Sequence, residues 1–144
     1  MSWTTRYGAS PAQIDQMGTE ALRADFMVPG IFVAGAARFA YTHIDRMVIG
    51  GIVPTASPIA IGDGAEVGTP HFFDAREAGI ANLGRGAGKI TVDGTDYPLA
   101  SRAVLYIGRG AKEVLLASDD ATNPAKFYLN SVPAGADIPH RLIP

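Results

Sequence analysis

The sequence predicts an all-β domain, a jelly roll or barrel of short strands, with a sandwich as the competing arrangement. Three observations carry this. Apolar and β-branched runs recur at residues 31–33, 47–52, 59–61, 80–83, 90–92, 104–107, 114–117 and 127–129. Nearly every gap between them holds Gly, Pro, Asp or Asn, and the 17 Gly and 10 Pro are spread along the chain as turns rather than gathered in a linker. Finally, Asp93-Gly94 sits between the alternating segments Ile90-Thr91-Val92 and Thr95-Asp96-Tyr97. A two-residue primed turn needs positive φ at its centre, so Asp-Gly there marks a hairpin.

The first 30 residues read differently. Ser10-Pro11 is a helix start, with an N-cap hydroxyl and a proline whose missing N–H is not needed in the first turn. Ile14 and Met17 then share one side of a short helix that Gly18 ends. Thr19 can cap a second helix through Leu22 and Phe26, and Pro29-Gly30 stops it. Residues 1–30 are therefore expected to form a short helical N-terminal arm, lying on the domain or on a neighbouring subunit. Residues 31–144 form the β domain, with one domain overall. Gly84-Arg85-Gly86-Ala87-Gly88 has the look of a phosphate loop, but such a loop should open a helix. Here Lys89-Ile90-Thr91-Val92 continues as a strand, so the glycines are expected to let the chain bend at a corner of the fold.

At 144 residues the chain can bury a core of its own. The net charge of −2, without a basic stripe, offers nothing to nucleic acid. The absence of cysteine excludes disulfides and thiolate metal sites. The first residues lack the apolar centre of a signal peptide, and no stretch approaches the roughly 18 apolar residues of a membrane span. A soluble, cytoplasmic protein without membrane or nucleic-acid partners is expected.

Glu77 followed by Gly84, then the Asp93-Gly94 hairpin, then Gly108-Arg109-Gly110-Ala111-Lys112-Glu113, resembles the two motifs of the cupins and the turn between them. The resemblance implies a cupin-like jelly-roll barrel. Where a metal-binding cupin has a His-x-His pair, this chain has His71 and Phe73, and Glu113 stands where the second motif has its histidine. The most that could converge on a metal is thus His71, Glu77 and Glu113; the competing reading is that both glutamates serve ion pairs or hydrogen bonds.

Further segments narrow the resemblance. They are Leu22-Arg23-Ala24-Asp25-Phe26, Thr42-His43-Ile44-Asp45-Arg46, Ile49-Gly50-Gly51-Ile52, Arg76-Glu77 leading to Asn82-Leu83-Gly84, Leu105-Tyr106-Ile107-Gly108 and Pro124-Ala125-Lys126-Phe127-Tyr128. In order and spacing they resemble the first half of the 5-keto-4-deoxyuronate isomerase family. That family converts 5-dehydro-4-deoxy-D-glucuronate to 3-deoxy-D-glycero-2,5-hexodiulosonate in the breakdown of pectin and related polyuronides. The resemblance implies two cupin-like halves, a homohexamer, and zinc held by the second half through a histidine-rich segment. This sequence stops at His140-Arg141-Leu142-Ile143-Pro144, before that segment, so the chain itself is expected to bind no zinc and to act as scaffold and in assembly.

Isomerisation moves a proton between neighbouring carbons through an enediolate, which needs a base and an electrophile for the oxyanion. No residue of this chain is assigned as the base. The candidates for meeting the substrate carboxylate are His43, Arg46, Arg76, Lys112 and Lys126, since a guanidinium matches a carboxylate bidentately. As the start of a strand, residues 43–46 would place His43 and Asp45 on one face and Arg46 on the other. The competing reading pairs the cations with Asp45, Glu77 and Glu113. Two further functions compete with the isomerase half: a non-catalytic module that binds sugar acids or oligomerises, and an independent metallo-cupin.

Overall fold

A computed structural model describes residues 1–144. The strands are β1 (Ser2–Arg6), β2 (Ala37–Thr42), β3 (Val48–Ile52), β4 (Ile59–Ile61), β5 (Arg76–Asn82), β6 (Gly88–Val92), β7 (Thr95–Leu99), β8 (Val104–Ile107), β9 (Val114–Ser118), β10 (Phe127–Pro133) and β11 (Arg141–Ile143). Two short helices, α1 (Pro11–Ile14) and α2 (Thr19–Phe26), lie between β1 and β2. No helix is long and apolar enough to cross a membrane.

The strands form two sheets, one in the order β1-β2-β3-β10-β5-β8-β11 and one in the order β4-β9-β6-β7. No strand pairing joins them, so the jelly roll is a two-layer sandwich rather than a closed barrel. One cluster of 21 buried residues draws on both layers, including Phe39, Ile80, Leu105, Phe127 and Leu129 from the large sheet and Ile90, Leu99, Val114 and Leu116 from the small one. Burial of such side chains supplies most of the stabilisation, at about 25 cal/mol per Å² of apolar surface.

Strand β5 decides what faces that core. Ile80 is fully buried, and period-two alternation carries Arg76, Ala78 and Asn82 to the same side, while Glu77, Gly79 and Ala81 are turned the other way.

The β6–β7 hairpin forms as its turn requires. Val92 pairs with Thr95, and Asp93 and Gly94 have φ of 46° and 83°. Nothing lies near a Cβ placed on Gly94, so Gly94→Ala carries only the left-handed backbone penalty, about 1 kcal/mol. A matching fall in the urea midpoint checks this.

Strand β1 falls inside the region expected to be a helical arm. Its residues Ser-Trp-Thr-Thr-Arg contain a single large apolar side chain, too little for a visible alternation. The strand is held by parallel pairing with β2 and by Trp3, which stacks on Phe39 at 4.8 Å. Residues 31–33, expected as a strand, are not one. There the backbone of Ile31 crosses β3 so closely that a Cβ on Gly51 would lie 2.5 Å from its carbonyl oxygen, a packing that leaves no ladder. Helix α1 starts at Ser10 with a capping box to Gln13; α2 is capped at Gly18, with Thr19 already its first residue.

Candidate functional site

The segment between β2 and β3 is a turn, not the opening of a strand. Asp45 and Arg46 have φ of 54° and 51°, and Thr42 Oγ1 accepts the N–H of Ile44 at 3.0 Å. His43 and Asp45 therefore do not share a strand face, as alternation had suggested. The turn instead aims the Arg46 carbonyl at the side chain of Arg76.

Arg76 is 5% exposed. Its Nε donates to Ser131 Oγ at 3.2 Å, and its Nη2 donates to the carbonyls of Ser131 at 2.9 Å and Arg46 at 2.6 Å. Its guanidinium lies over the Phe72 ring, 5.9 Å from the centroid, within cation–π range. Burial pushes its pKa down, with smaller opposing effects from the charge that Tyr41 carries when ionised, which raises it, and from the charge of Arg46, which lowers it. The three ion pairs of the chain, Lys89–Asp96, Arg109–Asp137 and Lys112–Asp74, and the His71–Asp74 contact leave Arg76 without a carboxylate.

In the β2–β3 turn itself, His43 stacks on Tyr7 at 4.6 Å and meets Tyr41 edge-on at 5.2 Å. These three rings, with Trp3, Thr5 and Glu66, line a cleft of about 290 Å³. Of the five substrate-binding candidates, His43, Arg46 and Arg76 thus gather around the β2–β3 turn.

The other two lie elsewhere. Lys112 Nζ pairs with Asp74, which also accepts the His71 backbone N–H at 2.9 Å and faces His71 Nδ1 at 3.3 Å. Lys126 is exposed and borders a separate groove with Arg85. His71, Glu77 and Glu113 do not converge either. Glu77, turned away from the core by the alternation of β5, accepts from the Tyr106 hydroxyl at 2.8 Å. Burial and then this carboxylate raise the Tyr106 pKa. Glu113 is exposed, its backbone N–H bound to Asp93 Oδ1 at 2.8 Å. No group of three or more His, Asp or Glu side chains is placed to hold a metal ion.

The Asp74 cluster makes a pH prediction. The Lys112 hydrogen bond, then the His71 backbone N–H, holds the Asp74 carboxyl at about 2, against an ordinary 3.8. A folded-state value below the unfolded one adds stability above about pH 4 that is lost as pH falls toward 2. Asp74→Asn should therefore flatten the acid side of the melting-temperature profile between those values. Asp96, Asp120 and Asp137, also held low by their hydrogen bonds, keep their share of the slope in both proteins.

Sequence reasoning missed Asp74, Ser131 and Glu66. Each is an unremarkable polar residue in sequence, brought to its partner only by the fold.

No family model matches the chain. It is 41% identical over 141 residues to a 4-deoxy-L-threo-5-hexosulose-uronate ketol-isomerase of Formosa agariphila, covering 98% of this chain and 50% of that protein. To the protein of the same name from Escherichia coli O8 it is 42% identical over 140 residues, again 50% of the relative. The chain spans about half the length of the curated relatives it matches. Among solved structures, a cupin protein from Bacteroides fragilis superposes with TM-score 0.47 at 19% identity, covering 66% of this chain and 72% of that one. A Cupin 2 conserved barrel domain protein from Salinispora arenicola gives 0.44 at 18% identity, covering 61% and 64%.

Proposed function

We propose that this chain, a member of the uronate ketol-isomerase family over the half it spans, is the N-terminal framework half of such an enzyme. The substrate is a deoxy-keto-uronate, interconverted between aldose-like and ketose-like forms. The observation that carries this reading is identity of 41% along 98% of the chain to a protein of that name.

The reaction needs a base at a carbon-bound proton and an electrophile at the developing oxyanion. Zinc would supply the electrophile. The residues of this chain do not fit it, since His71, Glu77 and Glu113 lie apart and no other cluster replaces them. In this proposal the metal belongs to residues of the other half, and this half contributes rigid sheets and subunit contacts. A hexamer in the cytoplasm, serving polyuronide breakdown, is part of the same reading.

The test is turnover by a protein that carries this chain together with the second half found in its relatives. Proton NMR of the deoxy-keto-uronate should show the isomer accumulating to equilibrium. A substrate spectrum unchanged by stoichiometric protein would overturn the proposal.

A further inference from the structure

We propose that Arg6 and Arg38 form a binding site for a small oxyanion, a phosphate or a short carboxylate, in the groove between the outer face of the β1–β2 pair and residues 28–31. The site does not depend on the isomerase reading.

Strand pairing puts both arginines on one face. Strand β1 runs parallel to β2 with Ser2 opposite Arg38, Thr4 opposite Ala40 and Arg6 opposite Thr42. Trp3 and its register partner Phe39 stack on the core side. Period-two alternation therefore carries Ser2, Thr4, Arg6 and Arg38 to the outer side. These four polar residues and an apolar wall of Val28, Pro29 and Ile31 line a groove of about 210 Å³, and none of its lining residues is acidic.

Neither guanidinium is neutralised, since no ion pair of the chain includes Arg6 or Arg38. Each has five N–H donors and spends one of them on the protein. Arg38 Nη1 donates to the Gly30 carbonyl at 3.1 Å, which holds its head against the wall of residues 28–31. Arg6 Nη1 donates to the carbonyl of its neighbour Thr5 at 3.3 Å. The Nε of Arg6 is the one side-chain polar atom of the chain that is both sealed from solvent and without a partner. Removing a cation from water without a partner is costly, and such a group ordinarily has an anion beside it. Asp25 and Asp45 border a neighbouring groove that Arg6 also lines, but neither forms an ion pair with it.

An oxyanion answers what this groove lacks. Two guanidiniums on one groove repel each other until a negative charge lies between them. Their planar N–H pairs match the oxygens of phosphate and carboxylate, and Ser2 adds a hydroxyl to the same wall. The volume is below the roughly 300–1,000 Å³ of ordinary small-molecule pockets, so it suits a phosphate or a short acid rather than a sugar ring. An anion there would also tie the edge strand β1 to β2 and to residues 28–31.

Titration calorimetry on the 144-residue chain tests this, with inorganic phosphate and acetate as separate probes in a chloride buffer of fixed, low ionic strength. Saturable binding is expected, with phosphate, which carries more charge, about ten-fold tighter than acetate; the reverse order would make the site one for carboxylates. Arg38→Gln, on an exposed side chain, should weaken binding about ten-fold and leave the melting temperature in place. Arg6→Met keeps an apolar stem and should weaken binding at least as much. Arg85→Gln removes a cation from a separate groove and should change nothing. No saturable binding of either anion, unchanged affinity in Arg38→Gln, or an equal loss in Arg85→Gln would overturn the site.

Discussion

Asn82→Ala should lower the melting temperature by about 10 °C or more, a loss of about 3–5 kcal/mol. Asn82 is fully buried at the inner end of β5. Its Nδ2 donates to the carbonyls of Gly86 at 2.9 Å and Leu99 at 3.1 Å; its Oδ1 accepts from the amides of Gly84 at 3.0 Å and Lys126 at 3.2 Å. One side chain thus ties the β5–β6 corner to β7 and to the entry of β10. Alanine leaves two donors and two acceptors unsatisfied together, and each such group costs about 1–3 kcal/mol where water cannot reach it. Partial relaxation brings the sum down to the range given. Asn130→Ala, on an exposed β10 position, is the control and should stay within about 0.5 kcal/mol.

The second large effect is expected at the same corner. A Cβ on Gly86 would lie 1.7 Å from the backbone oxygen of Asn123, closer than any side-chain adjustment can relieve. Gly86→Ala must push the two backbone segments apart, and a loss of about 2–4 kcal/mol is expected. Gly135→Ala has nothing within 4 Å of the new Cβ and should be neutral or slightly stabilising. Urea midpoints with unchanged m-values would separate the two outcomes cleanly. The glycine-rich run that resembles a phosphate loop is then a site of close backbone packing, held from inside by Asn82.

Legibility in the sequence followed the range of the interactions. The β6–β7 hairpin was readable because its determinants, alternating strands and a two-residue Asp-Gly turn, are all local. The start of α1 was readable for the same reason, from Ser10 and Pro11. Strand β1 was not, since it depends on Trp3 reaching its register partner Phe39 from a distant part of the chain. The orientation of β5 lay between these cases. Ile80 had to be buried, and counting back by twos would have placed Arg76 and Asn82 inside and Glu77 outside. The motif spacing drew attention to Glu77, whereas the alternation pointed to its neighbour. Charge type was enough to nominate His43, Arg46 and Arg76. It could not show that two consecutive left-handed residues would turn the Arg46 carbonyl onto Arg76, nor that Lys112 would be taken by Asp74.

The central claim of the proposed function is that this chain supplies framework to an isomerisation whose metal chemistry is carried by another part of the protein. Turnover of the deoxy-keto-uronate by the purified 144-residue chain, with zinc supplied, tests it most directly beside the longer protein that includes the second half. The predicted result is isomerisation by the longer protein and none above buffer by the chain. Sustained turnover by the chain alone, lost in His71→Ala or Glu77→Gln, would contradict it.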